Sequence, residues 1–307
     1  MEKIIEVKRL VKVYGNIRAV DGVSFDVYRN EVFSLVGPNA AGKTTTVEIL
    51  TCLRQPSSGY ARVLGFDVLE DEAQIKKRIG VMPQDFNAFE RLTVKENVEL
   101  IMKIYGLKAD VKPYLEKLGL WEIRNQKFHT LSGGMKRRVG ICMALASDPE
   151  ILFLDEPTTG LDPQARRECW KVIQSLKEMG KTVFLTTHYM EEAEKLSDRV
   201  AVIVNGRIVA IGDVKELIAK HGGGVKVIVK GGDEEAQKLL EEFTDNVYVD
   251  REGRVIGKFQ TRREASEAAL QLYQLSEQIV ADVEEPTLED VFLRLVGAKI
   301  DERGELA

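Results

Sequence analysis

Cysteine is scarce in this chain, and the few that occur are scattered. Cys52, Cys142 and Cys169 are the three cysteines among 307 residues, and they show no C-x-x-C spacing. Disulfide frameworks and zinc sites both need cysteines that are paired or clustered, so neither is indicated. This usage is typical of a protein that works in the reducing cytosol.

An excess of positive charge and long apolar runs are also lacking. Lysine and arginine total 44 against 49 aspartate and glutamate residues, which gives a net charge of −5. Because sequence-independent affinity for nucleic acid comes from cations that neutralise phosphates, no nucleic-acid partner is expected. No window approaches the about 18 consecutive apolar residues of a membrane helix, and "MEKIIEVKRL" lacks the apolar core of a signal peptide. We therefore expect any role at a membrane to depend on a membrane-spanning partner.

The sequence does contain enough apolar material, 44%, for one large domain and a smaller one. Short strands fill residues 3–36, including "IIEVKRL" and "VKVYG", and end in the apolar run "VFSLV". A mainly helical segment, about 86–145, precedes the strand "ILFLD", a helix, the strand "TVFLTTH" and a hairpin that turns at Asn205-Gly206. Strands that alternate with helices predict an α/β domain over residues 1–218, with a largely parallel sheet, an N-terminal antiparallel β subdomain and a helical insertion.

A second, smaller domain is predicted after the glycine-rich stretch "HGGG", 221–224, which reads as a linker. The segments that follow alternate as β-α-β-β-α-β, the order of a ferredoxin-like fold, and "TLEDVFLRLV" adds a final helix. Residues 225–307 are therefore predicted to form an α+β accessory domain. Its role stays open among regulation, a dimer contact and packing against the first domain.

The stretch "GPNAAGKTTT", residues 37–46, fits the phosphate-binding pattern G-x-x-x-x-G-K-[ST] between a strand and a helix. In this context the backbone N–H groups of the loop can surround a phosphate, and the helix dipole adds positive potential. Lys43 would reach the terminal phosphates of a nucleotide, and Thr44 would ligate Mg²⁺. The strand before and the helix after disfavour a chance Gly-Lys-Thr turn. The loop predicts a P-loop NTPase domain.

Ala40 raises a question about this loop, because a methyl group would matter if the position required a positive φ. In that case a residue with a Cβ costs about 1 kcal/mol or more relative to glycine. The general pattern leaves this position free, and alanine keeps the N–H donor. We therefore expect a loop that still binds nucleotide.

The stretch "ILFLDEP", residues 151–157, places two carboxylates at the end of an apolar strand. Ligands of parallel sheets bind at the carboxyl ends of the strands. Asp155 would orient Mg²⁺ or its water, and Glu156 would accept a proton from an attacking water. The alternative is a buried strand that ends in a helix-capping acid.

A third stretch, "LSGGM" at 131–135, precedes a helix, and Ser132 alone would be an ordinary helix N-cap. Its order relative to the other motifs changes that interpretation. With "GPNAAGKTT", "VMPQD", "ILFLDEP", "TTGLD" and "TTHYMEEA", it resembles the ATP-binding subunits of ABC transporters over about the first 215 residues.

The resemblance implies a role for each matching position. Tyr14 matches the aromatic residue that stacks on adenine, and Gln84 matches the Q-loop. Asp162 ends the D-loop, and His188 matches the switch histidine. The phosphate-binding Walker A loop comprises Gly37, Pro38, Asn39, Ala40, Ala41, Gly42, Lys43, Thr44 and Thr45; the signature comprises Ser132, Gly133 and Gly134; and Walker B ends in Asp155 and Glu156.

The match has two departures, Ala40 for the usual glycine and Met135 for the usual final glutamine of the signature. Taken singly, several positions also have plain alternatives: strand packing for Tyr14, a surface site for Gln84, an N-cap before Pro163 for Asp162, and a core histidine for His188. The coincidence of all motifs in family order favours the family, and the departures leave Lys43 and Glu156 in place.

The resemblance implies an ATPase that closes head to tail with a second ATP-binding subunit, in a homodimer around two ATP molecules. Each Walker A loop would face the signature of the partner. ATP and Mg²⁺ are the implied cofactors, with Thr44, Gln84 and Asp155 around the metal. Gln84 would sense Mg²⁺ and relay its presence to the helical insertion, while His188 would hold the γ-phosphate and the attacking water.

The final segment "EEPTLEDVFLRLVG" resembles the C-terminal extension of subunits that power export. We therefore expect a motor for drug or antibiotic export, at the cytoplasmic face of the cell membrane and held there by an integral membrane transport subunit. A soluble ABC-family ATPase of translation or DNA repair is the alternative. A regulatory module that only binds nucleotide is disfavoured, because Glu156 and His188 are both present.

Overall fold

The computed structural model describes residues 2–230, 234–250, 252–275, 279–297, 300–301 and 304–306. The chain divides into two compact units, Met1–Asp213 with Ile300–Ala307, and Val214–Lys299. The division differs from the predicted boundaries at 218 and 225. Helix Val214–His221 packs against helix Leu288–Val296 of the second unit, so the glycines at 222–224 lie inside that unit.

The first unit contains a six-stranded sheet, a four-stranded sheet and the helices around them. Its strands are β1 (Lys3–Tyr14), β2 (Ile17–Tyr28), β3 (Val32–Val36), β4 (Ser58–Val63), β5 (Phe66–Asp67), β6 (Ile79–Met82), β7 (Ile151–Asp155), β8 (Thr182–Thr187), β9 (Arg199–Val204) and β10 (Arg207–Asp213). Its helices are α1 (Lys43–Leu50), α2 (Glu72–Lys76), α3 (Val94–Ile104), α4 (Lys112–Lys117), α5 (Gly133–Leu145), α6 (Pro163–Glu178) and α7 (Met190–Leu196), with a 3₁₀ turn at Phe128–Thr130.

The larger sheet has the order β10-β9-β3-β8-β7-β6, and all neighbours except β9 and β10 run parallel. Every residue of β3, β7 and β8 is buried, as expected for parallel strands covered on both faces. The predicted hairpin turn is confirmed, because Asn205 and Gly206 both have positive φ, 49° and 76°. Strand β3 leads into the phosphate-binding loop, β7 ends at Asp155 and is followed by Glu156, and β8 is followed by His188.

The smaller sheet, β2-β1-β4-β5, is the predicted antiparallel β subdomain. The expectation of separate strands at "IIEVKRL" and "VKVYG" is wrong, since both lie in the twelve-residue strand β1. The register shifts between Val7 and Leu10, and Arg9 has a φ of 45°. This irregularity is a β-bulge, which interrupts the apolar alternation without ending the strand.

The predicted helical insertion contains α3, α4 and α5, which share one apolar cluster with buried Met102, Leu115 and Val139. Helix α3 begins at a capping box. The Glu96 N–H donates to Thr93 Oγ1 at 3.2 Å, and the Thr93 N–H donates to Glu96 Oε2 at 2.7 Å.

The second unit contains, in chain order, α8 (Val214–His221), β11 (Val225–Lys230), α9 (Glu234–Phe243), β12 (Val247–Val249), β13 (Val255–Phe259), α10 (Arg262–Leu275), β14 (Val280–Glu284) and α11 (Leu288–Val296). The predicted order β-α-β-β-α-β is present, although residues 233 and 276–278 of its two helices lie outside the described residues. The strands form an antiparallel sheet, β12-β13-β11-β14, on which α9 and α10 pack. Among the described residues, no helix combines the length and the apolar character that a membrane crossing requires.

Candidate active site

The loop between β3 and α1 needs glycine at the two positions that the pattern fixes. A Cβ on Gly37 would lie 2.0 Å from the backbone oxygen of Ile203. Gly42 has a φ of 104°, and a Cβ there would lie 2.3 Å from the backbone oxygen of Ala19. The backbone of neighbouring strands therefore fixes the path of this loop.

Ala40 occupies the left-handed region of backbone space, with a φ of 57°. The loop therefore has a positive φ at this position, which alanine adopts less easily than glycine. Its methyl group is exposed, so the cost is confined to the backbone conformation. For an L-residue that cost is about 1–2 kcal/mol.

Lys43, the first residue of α1, reaches back over the loop, and its side chain is only 5% exposed. Its Nζ donates to the backbone oxygens of Gly37 at 2.7 Å and Pro38 at 2.9 Å. It also lies 3.0 Å from Glu156 Oε1. The lysine thus joins the loop after β3 to the carboxylate after β7.

Glu156 follows β7 with a φ of 51°. Its N–H donates to the Thr186 backbone oxygen at 3.1 Å and to Thr186 Oγ1 at 3.0 Å. Its Oε2 accepts a hydrogen bond from Thr159 Oγ1 at 2.8 Å. Burial raises the pKa of Glu156, but the hydrogen bond with His188 and the charge of Lys43 outweigh it, and the pKa falls to about 2. The side chain is therefore a carboxylate at neutral pH.

His188 follows β8 and is 4% exposed. Its Nδ1 lies 2.7 Å from Glu156 Oε2, and its ring packs on Tyr189 with centroids 4.0 Å apart. Its Nε2 is buried and has no hydrogen-bond partner among the described residues. Buried polar atoms without a partner are rare, so this nitrogen is free to bind a ligand.

Asp155, the last residue of β7, is buried and accepts hydrogen bonds from the hydroxyls of Thr186 and Thr44. Burial raises the pKa of Asp155, and these two hydroxyls oppose the rise. In the described part of the chain, no cluster of three or more His, Cys, Asp or Glu residues could hold a metal ion alone. One carboxylate beside one hydroxyl still fits Mg²⁺, which is commonly held by one or two carboxylates together with substrate phosphates.

A cavity of about 620 Å³ opens beside the loop. It is lined by Ile17, Arg18, Ala19, Asn39, Ala40, Ala41, Gly42, Lys43, Thr44, Thr45, Gln84, Glu156 and Asn205. The structure thus brings Gln84 and Glu156 to the phosphate-binding loop. At one edge of the loop, the Asn39 N–H donates to the Gly304 backbone oxygen at 2.6 Å.

Tyr14 lies outside this lining, at the end of β1. Lys12 Nζ and the guanidinium of Arg54 each lie 5.3 Å from the centre of its ring, which is 38% exposed as a residue. Two cations on an aromatic face occupy a surface on which a base could stack. Ile17, which is 70% exposed, lies nearer to the loop and was not singled out in the sequence.

The predicted signature and D-loop residues also lie outside the cavity lining. Ser132 is exposed and caps α5, since its Oγ accepts the Met135 N–H at 3.3 Å. Gly133 and Gly134 form the first turn of α5, and a Cβ on Gly134 would lie 2.8 Å from that of Ala165. Asp162 caps α6 by accepting the N–H groups of two residues in its first turn, Gln164 and Ala165. Met135 packs against the apolar cluster of the helical insertion, which suits methionine better than glutamine.

Sequence reasoning missed the polar residues that support the two acids. Thr159 and Thr186 bind Glu156 and Asp155 directly, and the polar end of "TVFLTT" was the available signal for Thr186. Glu192 is fully buried and accepts hydrogen bonds from Thr158 and Trp170. In the sequence it is one of several acids in "MEEAEK", with nothing to separate it from exposed neighbours.

Known proteins resemble this chain over nearly its whole length. The sequence model of the family described as "ABC transporter" matches residues 20–159. The chain is 35% identical to the daunorubicin/doxorubicin resistance ATP-binding protein DrrA of Streptomyces peucetius, over 98% of this chain and 94% of that protein. It is 38% identical to the Nod factor export ATP-binding protein I of Paraburkholderia xenovorans, over 98% and 99% of the two chains.

Solved structures of ATP-binding proteins from ABC transporters also resemble this chain. The cbiO1 protein of Clostridium perfringens, part of an ABC transporter complex, has a TM-score of 0.65 and 28% identity, covering 72% of this chain and 92% of that one. The ATP-binding cassette MJ0796, in a dimeric post-hydrolysis state bound to ADP and Pi, has a TM-score of 0.61 and 29% identity, covering 68% and 98%. The chain therefore belongs to the ABC transporter family, as an ATP-binding subunit whose ATP hydrolysis is coupled to transport.

Proposed function

We propose that this chain powers export through a separate membrane-spanning partner, and that it hydrolyses MgATP at the site around Lys43, Glu156 and His188. One observation carries the assignment of the site. A carboxylate, a lysine and a histidine from three different loops meet in a buried cluster, and His188 Nε2 has no partner there among the described residues. Residues that converge in this way fit phosphoryl transfer to water.

The loop and its neighbours provide the groups that would bind MgATP. The backbone N–H groups of the loop after Asn39 and of the first turn of α1, together with the Lys43 ammonium, would hold the phosphates. Thr44, Asp155 and the Gln84 side chain would hold Mg²⁺, which when bound neutralises negative charge on the phosphate oxygens. Because Lys43 pairs with Glu156 in this structure, phosphate binding would draw its charge away from the carboxylate.

Glu156 is placed to act as the general base. Its carboxylate would take a proton from the water that attacks the γ-phosphorus, while the bond between that phosphorus and ADP breaks. The low pKa of Glu156 depends partly on Lys43, so engagement of Lys43 by phosphate would raise the basicity of the carboxylate. His188, held by Glu156 through Nδ1, would direct Nε2 at a γ-phosphate oxygen.

The position of the signature supports a site completed by a second copy of the chain. Ser132 and Gly133 are exposed at the N-terminus of α5, and neither lines the cavity beside the phosphate-binding loop. A helix N-terminus offers unpaired N–H groups and positive potential to an anion. We infer that two copies pair so that α5 of one faces the γ-phosphate held by the other.

Export is favoured by the relatives that match nearly the whole chain, second unit included. Their names refer to drug resistance and to Nod factor export, and none of those described above refers to translation or DNA repair. We place the chain at the cytoplasmic face of the membrane, attached through its transport partner. The strand order of the second unit supports a ferredoxin-like accessory domain.

The proposal is tested by purifying tagged wild type and Glu156→Gln from native membranes in mild detergent. We expect both to bring down the same polytopic membrane protein. Loss of the general base should slow phosphate release by about 10²–10⁴-fold while ATP binding persists. Glu191→Gln, an exposed change on α7, serves as the matched control. Wild-type phosphate release from Glu156→Gln would exclude Glu156 as the base, and copurification with ribosomes or nucleic acid alone would exclude the export role.

A further inference from the structure

Glu192, the third residue of α7, is a fully buried carboxyl group beneath the active site. Its Oε1 accepts two hydrogen bonds, from Thr158 Oγ1 at 2.7 Å and from Trp170 Nε1 at 2.8 Å. Its Oε2 is buried, and the carboxyl group also interacts with the side chain of Thr187, the residue before His188. The group touches neither the cavity lining nor the phosphate-binding loop.

The hydrogen bond between Thr158 and Glu192 connects the segment that carries Glu156 with the segment that carries His188. Thr158 precedes Thr159, whose hydroxyl binds Glu156 Oε2. Glu192 itself lies four residues after His188, at the start of the helix that follows the histidine. One hydrogen bond, from Thr158 to Glu192, therefore ties together the two segments whose side chains meet at 2.7 Å in the active site.

A third segment joins through Trp170, seven residues into α6. Helix α6 begins after Asp162, the D-loop residue that caps it. The indole N–H of Trp170 binds the same carboxyl oxygen as Thr158. Glu192 thus joins the first residue of the D-loop, the helix after the D-loop and the helix that follows His188 through one carboxyl oxygen.

A buried carboxyl group is expected to contribute little net free energy of folding, even though it joins three segments. Burial raises the pKa of Glu192, and interactions with the side chains of Thr187, Thr158 and Trp170 oppose the rise, so the buried carboxyl group carries a desolvation penalty that these contacts offset in part. Replacing buried polar groups with apolar ones of similar size is often neutral or stabilising. Geometry, rather than net stability, is what the contact provides.

We propose that Glu192 is a positioning residue for ATP hydrolysis, which acts through Thr158 and through α7 to hold Glu156 and His188 in hydrogen-bonded register. The inference rests on the proposed roles of Glu156 and His188 in the reaction. Glu192 does not contact the reacting atoms. Its effect is on turnover, because the register of these two residues matters when water attacks and not when ATP binds.

The test compares Glu192→Leu with Glu192→Gln in the purified full chain. Leucine removes the acceptor, and a displacement of about 1 Å in Glu156 or His188 should lower kcat about 10²-fold, with the ATP Kd within about threefold of wild type. Glutamine keeps an acceptor oxygen for Thr158 and Trp170, so it should recover most of the lost turnover. Glu191→Gln, on the exposed face of the same helix, should match wild type.

A spectroscopic measurement separates positioning from folding. The chain has two tryptophans, so in a Trp121→Phe background the emission comes from Trp170 alone. Glu192→Leu should shift this emission, because the indole loses its acceptor, while the thermal unfolding midpoint stays close to that of Glu192→Gln. Equal turnover per folded molecule in the two variants, with only the midpoint changed, would assign Glu192 a structural role and overturn the proposal.

Two variants of the residues that donate to Glu192, Thr158 and Trp170, test the proposal if Glu192→Leu does not fold. Thr158→Val removes one donor and preserves the shape of the side chain, and Trp170→Phe removes the other donor while keeping a smaller aromatic ring. Both should lower kcat with little change in ATP Kd, and wild-type kcat in both would overturn the proposal. Normal turnover in Glu156→Gln would instead refute the proposed function, which is a separate result.

Discussion

Ala40 holds a backbone conformation that glycine adopts more easily, within the loop that would bind phosphate. We expect Ala40→Gly to stabilise the chain by up to about 1.5 kcal/mol. Relief of the left-handed conformation gains about 1–2 kcal/mol, and the greater freedom of glycine in the unfolded chain offsets about 0.4–1 kcal/mol of it. The N–H donor is unchanged, so the ATP Kd should stay within about threefold. Thermal unfolding and nucleotide titration measure the two effects.

The neighbouring alanine supplies the control for this prediction. Ala41 is buried and lacks the positive φ of Ala40, so Ala41→Gly should destabilise the chain. The same chemical change thus has opposite signs at adjacent positions. If Ala40→Gly lowered the unfolding midpoint as Ala41→Gly does, the left-handed conformation would not be the source of strain.

The residue scale also shows what a single sequence reveals about the site. Lys43 and Glu156 could be predicted because the P-loop pattern and an acid after an apolar strand each have a defined chemistry. The positive φ of Ala40 could not, since backbone angles depend on where the loop meets β9 and β2. Glu192 could not either, because burial of one acid in an acidic helix depends on packing between α6 and α7.

At the scale of an element, helix α11 is fixed at its start by Asp290, which serves two partners. Asp290 completes a capping box with Thr287 and pairs with Lys226 of β11. Burial raises the pKa of Asp290, but the Lys226 and Thr287 hydrogen bonds outweigh it, so the pKa lies below its ordinary value of 3.8. A depressed folded pKa means that the stabilisation is complete above about pH 4 and is lost as the pH falls through the folded value.

We therefore expect Asp290→Asn to destabilise the second unit by about 1–2 kcal/mol at pH 7, through a weakened cap and an unpaired lysine. The difference from wild type should shrink below pH 4, where the native carboxylate becomes protonated. Hydrogen exchange of α11 amides in the full chain, at pH 7 and near pH 3, measures both. Asp282→Asn, at a more exposed pair with Lys230, is the control. Equal effects of the two variants would argue against this account.

Patterns of a few adjacent residues predicted where turns and helices lie better than they predicted which elements pack together. The final helix at "TLEDVFLRLV" and the turn at Asn205 each depend on a few adjacent residues, and both are present in the structure. The continuity of β1 through its bulge was missed, because pairing with β2 and β4 maintains the strand where the pattern breaks. The glycines were predicted to be the linker between the two domains, but they follow the first helix of the second unit, because the packing of that helix on α11 joins residues far apart in sequence.

For the whole molecule, the decisive question is whether one chain completes its own site. The loop that would hold ATP and the N-terminus of α5 belong to the same unit, but Ser132 does not line the cavity beside Lys43. A twofold dimer would place the phosphate-binding loop of each copy opposite the N-terminus of α5 in the other copy. The dimeric MJ0796 cassette resembles this chain over 68% of its length, which supports such a pairing.

A mixing experiment tests this arrangement. Lys43→Ala disables the phosphate-binding loop and Ser132→Arg blocks the signature, so each variant alone should be inactive. In a mixed dimer, the intact loop of the Ser132→Arg chain meets the intact signature of the Lys43→Ala chain. Equal mixing should recover roughly a quarter of the wild-type phosphate release, since about half of the dimers are mixed and each has one intact site of two.

The position of a third mutation in this mixture identifies which chain supplies each part. The recovered site takes its loop and its Glu156 from the Ser132→Arg chain, so Glu156→Gln placed on that chain should abolish the recovery. The same change on the Lys43→Ala chain should leave it intact, because that chain contributes only Ser132 and its neighbours. A mixture that stays inactive would contradict a single site shared between two chains, whereas equal loss from both placements would mean that Glu156 of the Lys43→Ala chain also takes part in hydrolysis at the recovered site.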